Sequence, residues 1–169
     1  MSAILLAVRS LAVTAHAVWL GGFTFYSGVV LWAVHDEYGS LDAGRITQRV
    51  TDWLNAIGVG AVVLWWAVAW LDRGRGPRLA RRILPGLLAL TTALLGFLIA
   101  DHLVLDRRLE VHGLSGFYTH HRVYLLASTA QWAANLLIIP AALRIWQGDE
   151  RRGPGISGPE ADPTRRGGP

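Results

Sequence analysis

The chain has 169 residues, of which 52% are hydrophobic and 17% are charged, and it contains eight Trp and no Cys. The absence of Cys excludes a disulfide framework and a thiolate metal site. The net charge is +4, and all the positively charged side chains counted in it are Arg, because the sequence has no Lys. These Arg residues concentrate in one short segment and at the chain ends, which is typical of membrane topology and argues against a nucleic-acid partner.

The hydrophobic residues form four long runs, each near the ~20 residues that a helix needs to cross a bilayer. This pattern predicts an all-α integral membrane protein. The short connections predict an up-down four-helix bundle within a single domain, residues 1–146. The four predicted helices cover about 10–34, 54–71, 83–104 and 123–146.

The Arg distribution predicts the orientation of the bundle. Eleven Arg lie at the side of the termini, five of them within residues 72–82, and five lie at the opposite side. The excess of positive charge predicts that both termini are cytoplasmic and that loops 36–52 and 105–122 are outside. Residues 147–169 are rich in Gly and Pro, which predicts a disordered cytoplasmic tail. The Ala, Gly and Arg content suggests a bacterial protein of the inner membrane.

Small residues occupy one arc of the first helix and one arc of the third. Small side chains let a second backbone approach closely, so both arcs are predicted to face other helices. The arcs consist of Thr14, Ala17, Gly21, Thr24 and Gly28, and of Ala89, Thr92, Ala93, Gly96 and Ala100.

The fourth predicted helix carries a stripe of polar side chains. At 100° per residue these positions fall within about 80° of one another, so they share one face. Polar groups in a membrane helix face the bundle interior or a wet cavity. Two interpretations stay open: hydrogen bonding between helices, or a pocket, open to the outer face, for a ligand, ion or proton. The stripe consists of His121, Tyr124, Ser128, Gln131 and Asn135.

Several His residues are predicted to lie near the outer face. His35 ends the first helix, His102 ends the third beside Asp101, and His120 and His121 open the fourth. Imidazole with carboxylate suits copper(II), zinc or nickel, so these residues are a candidate metal site. They are also compatible with solvated interfacial side chains or with a pH-sensing role.

His16 lies inside the first predicted helix, and an ionisable residue within the membrane is a candidate functional site. It has the chemistry of an axial ligand to haem b. Alternatively, it hydrogen-bonds Gln131 or Asn135. The sequence contains no phosphate-binding glycine loop, GxSxG or HExxH pattern, so it favours a protein that is not an enzyme.

The segments "HAVWLGGFTFY" and "HHRVYLLASTAQW" resemble a group of small four-helix bacterial membrane proteins, over about residues 5 to 146. The group includes transmembrane-protein-205-like domains, CopD-like copper proteins and HemJ-type proteins. Resemblance to the CopD-like proteins implies copper passage across the inner membrane. Resemblance to the HemJ type implies a haem-binding role for His16 together with a Lys, and this chain has no Lys.

Three alternative functions are therefore compatible with the sequence. The first is binding or passing a metal ion or small solute through the polar pocket, with copper or zinc as the metal. The second is a haem-binding redox protein that uses His16. The third is a non-catalytic accessory subunit that docks a larger membrane complex or forms a homo-oligomer within the lipid bilayer.

Overall fold

The computed structural model describes the backbone of residues 3–73 and 77–150. Within these ranges it describes all side chains except those of residues 38–45, 102, 105–121, 149 and 150. Residues 151–169 of the predicted tail lie outside the described part of the chain. The described backbone is helical throughout, apart from short connecting turns, and contains no strand, so the all-α prediction is confirmed.

Four α-helices and one π-helical turn follow one another along the chain. Helix α1 spans Ala3–Phe25, and the π-helical turn Tyr26–Val30 links it to α2, which spans Leu31–Leu71. Helix α3 spans Arg78–Leu103 and α4 spans Leu105–Glu150. Segments predicted as loops, 36–52 and 105–122, are thus helical. Both segments are rich in charged residues, and residues 38–45 and 105–121 lie outside the described stretches that are apolar enough to span a membrane.

Among the described residues, four segments are long and apolar enough to span a membrane, as the sequence predicted. They are Ala3–Glu37, Ile46–Leu71, Arg78–Asp101 and Arg122–Gly148, and we call them the first to fourth spans. Each is longer than the predicted run. The first includes Ala3, seven residues before the predicted start, and Arg9, which interrupts the hydrophobic pattern, is buried inside α1.

The interior consists of two apolar clusters. The larger joins all four spans and includes Trp65, Leu88 and Ile138. The smaller is centred on Trp19, which packs with residues of α2 and α3. His16 lies between the two clusters in the sequence of α1, one turn from each. His16 therefore occupies a level between two apolar layers.

The small-residue arcs lie at the surface of the described structure, although Thr24 and Thr92 each accept a hydrogen bond from a Trp indole of another helix. All ten side chains or glycine positions are exposed. The buried face of α1 instead carries Leu5, Arg9, Ala12, His16 and Trp19. Lipid tails are as apolar as a helix face, so an apolar arc of small residues has no hydrophobic reason to turn inward.

One glycine does permit a close approach between helices. A Cβ atom added at Gly58 would lie 2.5 Å from Cε2 of Trp19. The indole ring of Trp19 therefore lies directly on the backbone of α2, and it fixes the separation of the first two spans at this level.

Candidate functional site

His16 is fully buried, and α4 approaches it on one side. Its Nε2 atom lies 3.1 Å from the carbonyl oxygen of Asn135, a geometry that requires the imidazole to donate this hydrogen bond. The predicted contact between His16 and Asn135 is therefore present. The other ring nitrogen, Nδ1, is buried without a hydrogen-bond partner. Trp19 and Trp65 meet the ring edge-on, at centroid distances of 6.1 and 5.8 Å.

The stripe on α4 faces the interior, as predicted. Ser128, Gln131 and Asn135 are buried, and Tyr124 is half-buried, whereas the side chain of His121 lies outside the described residues. The hydroxyl of Thr91, on α3, donates to Oδ1 of Asn135 at 3.4 Å, so a third helix joins the group. We call His16, Thr91, Ser128, Gln131 and Asn135 the polar cluster.

A small cavity lies between α1 and α4 at the polar cluster. Its walls are Trp19, Leu20 and Phe23 on one side and Ser128, Gln131, Trp132 and Asn135 on the other. Its volume of about 10 Å³ is close to the minimum for a single water molecule. The amide nitrogen of Gln131 is buried and has no hydrogen-bond partner. Ser128, Gln131 and Asn135 supply the polar part of an otherwise apolar wall, and a buried donor beside a water-sized cavity is a place where a water is stabilised.

A second buried polar group lies toward the N-terminal end of α1. Arg9 Nη2 is 2.7 Å from Oδ1 of Asp72, and Arg9 Nε donates to Oδ2 at 3.2 Å. The indole nitrogen of Trp146 donates to the same Oδ2 at 2.9 Å. The guanidinium of Arg9 also lies 4.8 Å from the ring centroid of Trp146, a cation–π contact. We call these three residues the ion-pair cluster.

Trp65 separates the two polar groups. Its ring contacts His16 edge-on and stacks on Trp146 at a centroid distance of 6.3 Å, with an interplanar angle of 11°. Leu88 and Ile138 pack in the same apolar cluster and are almost completely buried. The described structure therefore places a mostly apolar barrier between the polar cluster and the ion-pair cluster, and the indole Nε1 of Trp65 is a buried donor within it that lacks a hydrogen-bond partner.

The predicted metal site falls mostly outside the described side chains. Those of His102, His120 and His121 are among the residues left out, while His35 is exposed and Asp101 is buried. Within the described ranges, no three His, Asp or Glu side chains are grouped so as to hold a metal ion. The metal prediction therefore stays a prediction.

The surroundings of His16 do not fit a haem group. Its Nε2 atom is engaged by the backbone of α4, and two indole rings cover the imidazole. The adjoining cavity has room for about one water molecule, far less than a porphyrin needs. We therefore derive no haem chemistry from His16.

The ion-pair cluster, the place of Thr91 in the polar cluster and the contact of Trp65 with His16 were not predicted from the sequence. The sequence does contain a signal for the ion-pair cluster, because Arg9 interrupts one apolar run and Asp72 directly follows another. Arg9 and His16 are also seven residues apart, which is two helical turns and therefore one face. Nothing in the sequence distinguishes Thr91 from Thr92, whose side chain is exposed.

Known proteins provide no further information about the site. No protein-family model matches the chain, and neither a curated protein nor a solved structure is detectably similar to it.

Proposed function

We propose that this chain is a multi-pass membrane protein that binds a proton or one small ion at the polar cluster and passes it across the membrane. In this proposal the spans form an up-down bundle in the bacterial inner membrane, with both termini cytoplasmic. The Arg-rich connection 72–82 then lies inside, and Tyr124 and Asp101 lie toward the outer face.

The size of the cavity supports a very small ligand. Its roughly 10 Å³ holds one water molecule and excludes a solute of several heavy atoms. This narrows the prediction of a small-solute pocket to a single ion or a proton. The unpartnered amide nitrogen of Gln131 supports a water within reach, which would connect neighbouring polar groups.

The chemistry of the donors favours a proton over a divalent metal ion. The polar cluster contains one imidazole, two amides and two hydroxyls, and it contains no carboxylate to offset two positive charges. In a low-dielectric interior an uncompensated divalent charge is strongly disfavoured. A proton on Nδ1 of His16 introduces only one charge, which the imidazole delocalises over its ring.

The polar groups extend from His16 in one direction along the bundle. Thr91 contacts Asn135, and Asp101 lies ten residues further along α3, whereas Tyr124 lies eleven residues earlier in α4. In an up-down bundle these separations bring Asp101 and Tyr124 to a similar level, about 15 Å from the Thr91–Asn135 contact. This supports access to His16 from the proposed outer face.

Trp65 would control passage in the other direction. Its ring lies between His16 and the stacked Trp146, within the apolar barrier. Transfer to the cytoplasmic side therefore requires this side chain to move or a water to pass it. A smaller side chain at this position is expected to raise the leak rate, and Trp65→Leu tests this while keeping an apolar residue.

The observation that carries the proposal is the fully buried His16 with its unpartnered Nδ1 atom. The test uses the full chain in liposomes, with a potassium diffusion potential as the driving force and an internal pH-sensitive dye. We expect proton uptake above that of empty liposomes, and its loss in His16→Phe. The matched control is His35→Phe, because His35 is exposed at the end of the first span.

Two results would overturn the assignment of the proton. One is equal proton uptake by the unmodified chain and His16→Phe. The other is movement of a metal cation down its own gradient at constant pH with no proton flux. The second result would restore the copper or zinc interpretation. Circular dichroism and gel filtration in detergent would show whether each variant keeps its helices and remains monodisperse.

Two other expectations remain proposals. Membership of the transmembrane-protein-205-like or CopD-like group would agree with four spans and an internal ion site. Docking to a larger complex or a second copy would use exposed surfaces instead, and it would leave His16 dispensable. The His16→Phe variant therefore also separates the ion-binding proposal from the accessory-subunit proposal.

A further inference from the structure

We infer that the end of the bundle near the 72–82 connection contains a binding site for one anionic phospholipid. A cavity of about 230 Å³ lies there, between the end of the second span and the beginning of the third. It is much larger than the cavity beside His16 and lies on the other side of the Trp65 barrier. Neither the proton proposal nor the polar cluster contributes to it.

The basic wall of the cavity is formed by Arg73 and Arg81. Both side chains are exposed, which leaves them accessible at the surface. The guanidinium of Arg73 also lies 6.0 Å from the ring centroid of Trp70, an aromatic side chain that is itself 61% exposed. Arg at the end of a membrane span, beside an amphipathic aromatic ring, is placed at the level of lipid headgroups.

One acidic residue, Asp72, also lines the cavity, but its charge is already compensated. Oδ1 accepts from Arg9, and Oδ2 accepts from both Arg9 and the indole of Trp146. Arg73 and Arg81 are the other two charged side chains among the described residues that line the cavity, and both are basic. Guanidinium groups bind phosphate oxygens through paired hydrogen bonds, so the wall matches an anionic phosphate headgroup.

The opposite wall is apolar and suits an acyl chain. It includes Trp66, Leu84, Pro85 and Ile145, from three different helices. Pro85 has no backbone N–H, so α3 lacks one intrahelical hydrogen bond at this wall. A cavity lined by both basic and apolar side chains matches a molecule with an anionic head and a hydrocarbon tail. Basic pockets between membrane helices bind phospholipid headgroups in this way.

The test is native mass spectrometry of the full chain in detergent, titrated with phosphatidylglycerol or phosphatidylcholine of identical acyl chains. We expect one phosphatidylglycerol to remain bound in preference to phosphatidylcholine. Replacing both Arg73 and Arg81 with Ala should weaken binding of phosphatidylglycerol by roughly 30-fold, since each Arg near the surface contributes about fivefold. The matched control replaces Arg49 and Arg122, exposed residues distant from this cavity in the sequence, and should retain the preference.

A second variant tests the cavity itself. Ala69→Leu leaves both Arg residues in place and fills part of the volume that Ala69 lines, so it should also weaken the binding of phosphatidylglycerol. Equal binding by the unmodified chain and the double Arg variant would overturn the site. So would equal losses in the double variant and the control, which indicate nonspecific charge. Displacement of the lipid by millimolar inorganic phosphate would identify a free-phosphate site instead, and would also overturn it.

Discussion

In the described part of the chain, the ion-pair cluster and the polar cluster differ in how completely their buried polar atoms are hydrogen-bonded. The ion-pair cluster carries full charges, and both carboxylate oxygens of Asp72 accept hydrogen bonds. The polar cluster is neutral when His16 is unprotonated, yet it contains two buried nitrogens without partners, on His16 and Gln131. The more polar group is thus the more completely satisfied one.

This difference suggests that the ion-pair cluster serves the stability of the fold and that the polar cluster serves the proposed function. A buried charge without its counter-ion is strongly destabilising, so the ion-pair cluster persists only as a complete set. A neutral buried donor is tolerated at a smaller free-energy cost, and it remains available to a ligand. Variants of the first group should therefore affect folding, and variants of the second should affect activity.

The largest effect is expected from Asp72→Ala. This variant leaves the charge of Arg9 buried without its carboxylate, and the free energy of unfolding should fall by about 3–5 kcal/mol. Denaturant unfolding in detergent micelles, followed by circular dichroism, measures the change. Replacing both Arg9 and Asp72 with Leu should recover most of the loss, because an apolar pair of similar volume needs no compensation. A double variant as unstable as Asp72→Ala would show that the pair itself is not the cause.

An intermediate effect is expected from Gly58→Ala. The new Cβ atom would lie 2.5 Å from the ring of Trp19, so the ring must move, at a cost of about 1–3 kcal/mol. Gly60→Ala is the matched control, because a Cβ atom there meets nothing within 4 Å. Thermal unfolding of the two variants should differ. Equal stability would mean that Trp19 moves without cost and does not fix the helix separation.

The smallest effect on stability is expected from Gln131→Leu. The variant removes a buried donor that has no partner and introduces an apolar side chain of similar size. The free energy of unfolding should therefore change by less than about 1 kcal/mol. Proton uptake in liposomes should nevertheless fall, because the cavity loses the polar side chain of Gln131. A large loss of stability with unchanged uptake would place Gln131 among the structural residues instead.

Periodicity predicted the interior face of α4 but not those of α1 and α3. On α4 the buried stripe of Ser128, Gln131 and Asn135 contrasts with apolar neighbours, and a polar side chain in lipid has a strong reason to turn inward. The small-residue arcs offered no such contrast, since every face of α1 and α3 is mostly apolar. Packing among large side chains such as Trp19 and Trp65 decided the orientation there, and it depends on the partner helices.

The number of membrane spans could be read from composition, because length and hydropathy are local properties. The site could be read only in part. A hydrogen bond from His16 to Gln131 or Asn135 was one of the expected alternatives, and the structure has it to the backbone carbonyl of Asn135. The association of Arg9 with Asp72 spans 63 positions and requires knowledge of which helix ends meet. The small cavity depends on how Trp19 and Phe23 pack, which no single helix determines.

The ion pair also bears on how the protein enters the membrane during synthesis. Arg9 emerges from the ribosome long before Asp72, and a lone Arg in lipid costs several kcal/mol. We expect the first span to integrate stably only after Asp72 has emerged, so that the first two spans insert as a neutral hairpin. Stalled chains with and without Asp72→Ala would reveal this by their resistance to alkaline extraction. Trp146, close to the end of α4, would bind the carboxylate last and complete the assembly.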